Sequence, residues 1–383
     1  MILEKPRHHG KHERPALPWA VRLVVSMVST VVDNACRPNG TVNRRLIHFL
    51  DYQTPPISTT SVSSTDISID ATRNLWIRLY SPSNNQLLPV LIFFHGGGFS
   101  FLSPASLAFD MVCRNFATNL PAIGISVNYR LAPEHRYPSQ CHDGFDALNF
   151  IDENWATVLP KNADPARCFF AGDSAGANLA RHVAVQACRT KLHTMKMIGL
   201  ISIQPFFGEE ERSQSETQLV GSGLLVSVPL TDWCWNAYLP LGSNRDHEAA
   251  NVSGPNADDI SGLDFPATMV VVGGFDPLKD WQRRYYEWLL KSGKEARLIE
   301  YHNMIHAFYT FPLLPESSHL VVQIKEFIAK CSSRVPNLKS ETYMSQLQLS
   351  PRKLNLIHLP ILYAVMASIS GDMQHVCQVF KSN

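Results

Sequence analysis

Charge of one sign is missing from this chain of 383 residues: Lys and Arg number 34, Asp and Glu 33, and the formal net charge is +1. No global positive field exists to hold nucleic acid or an anionic membrane, so neither is expected as a partner. The eight cysteines (Cys36, Cys113, Cys141, Cys168, Cys188, Cys234, Cys331, Cys377) contain no C-x-x-C pair. A disulfide framework and cysteine-ligated zinc therefore lack supporting spacing, and scattered thiols in a reducing compartment are the expectation. Neither G-x-x-x-x-G-K-[ST] nor G-x-G-x-x-G occurs, so no nucleotide cofactor is indicated; none of any kind is expected. Long apolar runs are scarce too. Residues 23–32 follow Arg22, are too short to cross a bilayer and lack a small-residue cleavage site. The uncharged run 354–371 touches the lower length limit for a membrane helix, but Asn355, His358, Pro360 and two serines spoil it. A cytoplasmic protein, also open to the nucleus and without a signal peptide, is the expectation. Asn251-Val252-Ser253 and Asn39-Gly40-Thr41 are then chance matches to the glycosylation pattern.

What is present reads as a folded α/β chain. Hydrophobic residues make up 45% and charged residues 17%, enough apolar surface for a core, which excludes disorder as the main state. Short β-rich runs recur at 75–79, 90–94, 123–127, 168–171, 200–203, 269–272 and 296–301. Several are apolar on both faces, as in central parallel strands covered on either side. Helical spacing appears at 139–154, 176–190 and 279–291. The alternation predicts one α/β sheet domain over roughly 250 residues, doubly covered and mostly parallel.

Three parts fall outside that rhythm. Residues 17–50 predict one or two amphipathic helices, broken at Arg37-Pro38-Asn39-Gly40, after a frayed start that carries His8, His9 and His12. Residues 208–262 interrupt the sheet pattern with Glu209-Glu210-Glu211, read as a solvated face, and Trp233-Cys234-Trp235. These two segments are expected to form a lid and cap over the C-terminal strand edge, where ligands of open α/β sheets bind. The main domain is expected over 51–333, and from about Arg334 to Asn383 a loosely ordered extension.

The strongest chemical feature is Gly172-Asp173-Ser174-Ala175-Gly176, the only G-x-S-x-G in the chain, between a strand-like and a helix-like stretch. A serine on such a sharp turn is pushed out of the sheet, and the following helix points its positive end toward charge developing there. His95-Gly96-Gly97-Gly98 directly follows the 90–94 strand. Consecutive glycines let N–H groups point into a cleft, as a tetrahedral oxyanion requires. A serine needs a base to take its proton and an acid to orient the base. Asp276, ending the 269–272 strand region, and a histidine after the 296–301 strand stand in the Ser…Asp…His order. Asp280 is the alternative acid, but its position suits a helix cap better. Between His302 and His306, spacing leans only slightly to His306.

The set His95-Gly96-Gly97-Gly98, Gly172 to Gly176, Asp276-Pro277-Leu278 and His306-Ala307-Phe308 resembles the hormone-sensitive-lipase-type "GDXG" esterases of the α/β-hydrolase fold. With Val127-Asn128-Tyr129-Arg130-Leu131-Ala132-Pro133-Glu134 and Asn39 to Arg44, the chain is similar to their plant carboxylesterase branch, which also contains gibberellin receptors. The resemblance covers residues 15–333 and implies an α/β-hydrolase domain with an N-terminal helical lid. It implies Ser174 as nucleophile, His306 as base and Asp276 as its orienting acid. Amides of Gly97, Gly98 and Ala175 would form the oxyanion hole, supported by His95 and Gly96. The family motif His-x-Phe is matched by His306 and not by His302. Ala177 departs from the usual glycine after the elbow. A small-molecule ester is the implied partner, without metal or cofactor. The receptor branch carries an aliphatic residue in place of the base, and the presence of His306 sets this chain on the enzyme side.

Overall fold

The computed structural model describes residues 15–190, 192–219 and 225–335. Its strands are β1 (Val62–Asp70), β2 (Leu75–Pro82), β3 (Leu88–Phe94), β4 (Ile123–Asn128), β5 (Ala163–Asp173), β6 (Met197–Ile203), β7 (Ala267–Phe275) and β8 (Ala296–Ile305). They form one sheet in the order β1-β2-β4-β3-β5-β6-β7-β8. The β1–β2 and β2–β4 pairs are antiparallel and all others parallel. Every residue of β3 and β4 is buried, which is why their apolar runs continue without alternation. This is the α/β-hydrolase architecture expected from the sequence. β1 lies outside the runs the sequence predicts, because its Val-Ser-Ser-Thr-Asp-Ile-Ser-Ile-Asp stretch is mostly polar, as suits an edge strand.

The helices are α1 (Trp19–Ala35), α2 (Arg44–Leu50), α3 (Leu107–Asn119), α4 (Ser139–Val158), α5 (Ala175–Arg189), α6 (Gln214–Gln218), α7 (Val228–Tyr238), α8 (Lys279–Lys291) and α9 (Pro315–Ser332). Side chains of β3 divide between two cores. Leu91 and Phe93 face α3 and α9 through Phe109, Phe116, Ile324 and Phe327. Ile92 and Phe94 face α4, α5 and α8 through Leu148, Leu179, Val183 and Tyr285. Burying a large apolar side chain contributes about 1.5–3 kcal/mol, so these two layers fix the sheet on which the site is built.

The N-terminal segment folds as two helices separated at the expected break, where Gly40 adopts φ +78°. Asn43 caps α2 by accepting from the Leu46 amide at 3.3 Å. Arg44 then reaches the main body, pairing with Glu134 at 2.5 Å and donating to the Ala132 carbonyl at 2.7 Å. Trp233 of α7 donates its indole N–H to the Arg37 carbonyl at 2.9 Å. The N-terminal helices are thus tied both to the sheet domain and to the segment between β6 and β7.

One expectation is corrected. Asp280 does not cap α8, whose N-cap is Leu278 with no side-chain bond. Its carboxylate instead accepts from the Ser215 amide at 2.7 Å, serving the first turn of α6. The histidines at 8, 9 and 12, the run 354–371, Cys377 and nearly all of the extension expected from 334 lie outside the described residues. Among the described residues no helix is long and apolar enough to cross a membrane, and the seven cysteines form no disulfide.

Candidate active site

Strand β5 ends at Asp173 and helix α5 begins at Ala175, leaving Ser174 alone in the turn. Its backbone sits at φ 50°, ψ −120°, a strained conformation for a residue with a side chain. Hydrogen bonds hold it there: the Ser174 amide donates to the Ile203 carbonyl at 2.9 Å, and its carbonyl accepts from the Phe206 amide at 2.9 Å. Close packing forces the flanking glycine. A Cβ at Gly176 would stand 2.0 Å from the Phe94 carbonyl oxygen, so any other residue would push the helix off β3.

Asp276 follows β7 directly, and His306 follows β8 directly. The two meet, with His306 Nδ1 2.7 Å from Asp276 Oδ2. The Asp276 carboxylate is fully buried and also accepts from the Leu278 amide at 2.9 Å and from Gln282 Nε2 at 2.8 Å. His302 lies within β8 and is exposed, so of the two histidines that spacing leaves open, His306 is the one in contact with Asp276. Burial alone would lower the pKa of His306. The charge of Asp276 and its hydrogen bond, with a smaller contribution from Asp173, more than offset that and raise it above its ordinary value.

The loop after β3 carries the glycines. Gly97 and Gly98 have φ values of +104° and +57°, a backbone course open to residues without a Cβ. His95 lies buried beneath, its ring stacked on Tyr129 at 4.3 Å with 9° between the planes. Tyr129 donates its hydroxyl to the His95 carbonyl at 2.7 Å. Burial pushes the His95 imidazole down to about 4, so it stays neutral and serves as packing for the loop. Asp173 packs so close to Gly96 that a Cβ there would come 2.4 Å from its Oδ2. Burial pushes the Asp173 carboxyl up to about 7, against the lowering influence of Tyr309, His306 and the Gly96 amide.

Ser174, His306, Gly97, Gly98 and Asp173 all border one cavity of about 570 Å³. Its far wall is made by α1 and α2, through residues such as Val28, Val31 and Phe49, and by Leu230 and Cys234 of α7. Ala175, the first residue of α5, is buried next to Ser174.

Two residues at the site carry no motif signal. Gln204, immediately after β6, is buried with φ 45°. Its Nε2 donates to Asp276 Oδ2 at 3.2 Å and to the Ile305 carbonyl at 3.1 Å, while its Oε1 accepts from the Ala307 amide at 2.8 Å. Gln282 lies in α8, six positions after Asp276, on the face turned toward it. A glutamine in either place has no pattern that separates it from an ordinary polar residue; only the fold brings them to the carboxylate.

Residues 91–310 match a family described as having the alpha/beta hydrolase fold. A gibberellin receptor of Arabidopsis thaliana, GID1C, is 37% identical over 82% of this chain and 94% of its own length. The 3-O-acetylpapaveroxine carboxylesterase CXE1 of Papaver somniferum is 33% identical over 71% of this chain and 90% of its own. Among solved structures, a hyperthermophilic esterase from Pyrobaculum calidifontis superposes with a TM-score of 0.63 at 26% identity, covering 85% of this chain and 95% of that one.

Proposed function

The chain belongs to the α/β-hydrolase fold family, and from that footing we propose that it is a carboxylic ester hydrolase working through an acyl-enzyme on Ser174. Its relatives of the plant carboxylesterase type support ester hydrolysis as the general chemistry. The observation that carries the finer reading is the 2.7 Å contact between Asp276 and His306, the latter bordering the same cavity as Ser174.

In the first half-reaction Ser174 Oγ attacks the ester carbonyl carbon while the neutral imidazole of His306 takes the hydroxyl proton. The new charge sits on the former carbonyl oxygen, and amides of Gly97, Gly98 and Ala175 are the donors to meet it. Loss of one such donor costs on the order of 10²–10³ in turnover. Collapse breaks the bond to the alcohol oxygen, which leaves with the proton from His306. Water then attacks the acyl-enzyme, giving its proton to His306, and the carboxylic acid departs as Ser174 regains its proton. Asp276 holds the imidazole in the tautomer that presents Nε2 to the serine and stabilises the imidazolium formed at each step.

The identity to gibberellin receptors favours a second reading, a small-molecule binding protein without turnover. By the family resemblance that branch has an aliphatic residue where this chain has His306, and the Asp276–His306 pair weighs toward the enzyme. Turnover of p-nitrophenyl esters by the purified protein tests the two. Hydrolysis that Ser174→Ala abolishes without altering the fold is the expected result; hydrolysis unchanged in that variant refutes the assignment.

A further inference from the structure

Helix α5 carries a charged side chain that the ester chemistry does not use. Arg181 stands about two turns beyond Ser174, with its side chain fully buried. Only one edge of its guanidinium is matched. Nη1 donates to Asp258 Oδ2 at 3.0 Å and to His182 Nδ1 at 3.2 Å. Burial and the Arg181 charge push the His182 imidazole down to about 3, so that ring is neutral and accepts. Nε and Nη2 find no acceptor among the described residues. The guanidinium lies over the Trp288 ring of α8, its Cζ 5.6 Å from the centroid.

The charge does not balance either. Asp258 is the one carboxylate in ion-pair contact with Arg181 among the described residues, and Arg189 shares it at 2.6 Å. Burial alone would raise the Asp258 carboxyl, but the two guanidiniums hold it below its ordinary value, so it is ionised. Two cations thus share one anion. Arg189 is 46% exposed and reaches water, whereas Arg181 is 1% exposed and does not. Glu248, whose charge also reaches this region, is exposed and accepts from the Tyr137 hydroxyl at 3.2 Å. On the α8 side, Tyr285 stacks with Trp288, ring centroids 6.0 Å apart. Burial raises the pKa of its hydroxyl, and the Arg181 charge works against that. The hydroxyls of Tyr285 and Ser202 stand near each other, buried and beyond hydrogen-bond distance of any described partner.

We propose that the Nε–Nη2 edge of Arg181 binds a small monovalent anion of the chloride class, held between α5 and α8. The Nε–H bond and one Nη2–H bond run parallel, a fork that a single anion accepts from both. Water would meet those donors but leave the surplus charge where an uncompensated ion is costly. A halide supplies the missing charge and needs donors alone, which this edge offers. Phosphate would bring a second charge where the surplus is one. The inference is independent of the esterase reading, because Arg181 is buried whether or not Ser174 reacts. Bound there, the anion joins the helix that begins beside Ser174 to the helix whose Gln282 donates to Asp276.

Bromide reports on the site directly, because it scatters anomalously. Crystals of the full chain grown in sodium bromide are expected to show an anomalous peak within hydrogen-bond reach of Arg181 Nε and Nη2. Water alone at that place overturns the proposal, and so does bromide found elsewhere, as an adventitious ion only. In solution, sodium chloride replaces sodium gluconate, whose anion is too large to enter, at constant ionic strength. The melting temperature is expected to rise by about 2 °C or more and to level off as the site fills. No rise, or a rise without saturation, overturns the proposal. Arg181→Met keeps an unbranched stem against Trp288 and removes the charge and the fork. Folded Arg181→Met is expected to melt at the same temperature in both salts; a chloride response equal to that of the wild type overturns the site. Should that variant not fold, the bromide peak and the wild-type titration decide alone.

Discussion

Gln204 is bonded to Asp276 and at the same time to the loop that begins at His306. Its amide nitrogen donates to Asp276 Oδ2 at 3.2 Å while its amide oxygen accepts from the Ala307 amide at 2.8 Å. One side chain thus sets how far the carboxylate stands from the imidazole, using both ends of a group whose donor and acceptor are fixed in space. Ala307 needs such a restraint, because its φ of 58° is unfavourable for a residue with a side chain. The result is a preorganised pair in place of one assembled when substrate arrives.

Replacing Gln204 by Leu keeps most of the volume and removes all three of its side-chain bonds, to Asp276, the Ile305 carbonyl and the Ala307 amide. Ester turnover by Gln204→Leu is expected to drop by on the order of 10-fold or more in kcat, with KM little changed, since only the orientation of the imidazole is affected. Steady-state kinetics on a p-nitrophenyl ester read the split. A rise in KM at constant kcat would assign Gln204 to substrate binding instead.

The pH dependence follows from His306. Its pKa is raised in the folded protein, burial being outweighed by Asp276 and Asp173. The base works only when neutral, so activity must climb as pH rises through that elevated value. The acid limb of kcat/KM is expected to have its midpoint above about 6.5, the ordinary histidine value. Stability runs the other way. A histidine with a raised pKa contributes its full stabilisation below the unfolded value and loses it as pH rises through the folded one. A pH–rate profile with its midpoint at or below 6.5 contradicts the arrangement.

Asp173 gives a third prediction, with the opposite sign. Burial has pushed its carboxyl up to about 7. An acid whose folded pKa exceeds its unfolded one costs no stability at low pH; the cost grows above about 4 and is complete beyond about 7. Asp173→Asn keeps an oxygen that accepts from the Gly96 amide and removes the charge. Its melting temperature relative to wild type is expected to rise between pH 5 and pH 8. An equal difference at both values would show that the charge is not confined as the structure has it.

Much of this site can be read from the chain because its reacting groups occupy strand ends, and strand ends are marked in sequence by apolar runs that stop at Gly, Asp or His. Ser174 and Asp276 each follow a run buried on both faces, His306 follows a half-buried strand whose last residues are buried, and the glycines around Ser174 and after His95 mark close backbone approach. What stays hidden depends on long-range packing. Gln204 and Gln282 are polar residues with no periodicity of their own, and they matter only because β6, β7 and α8 converge. Strand β1 escapes for a related reason: paired only to β2 at the sheet edge, it needs little apolar character. Asp280 shows the converse. Its place at the start of α8 suggests a cap for that helix, yet the nearby first turn of α6 takes its carboxylate.

The account stands on a serine hydroxyl made nucleophilic by its surroundings, and covalent capture reads that most directly. Folded wild-type protein treated with a fluorophosphonate at pH 8 is expected to gain the mass of one phosphonyl group, located on the peptide that holds Ser174. Ser174→Ala should gain none, and His306→Ala should react far more slowly. Failure of the folded wild-type protein to form the adduct, or an adduct of equal yield in Ser174→Ala, would contradict it.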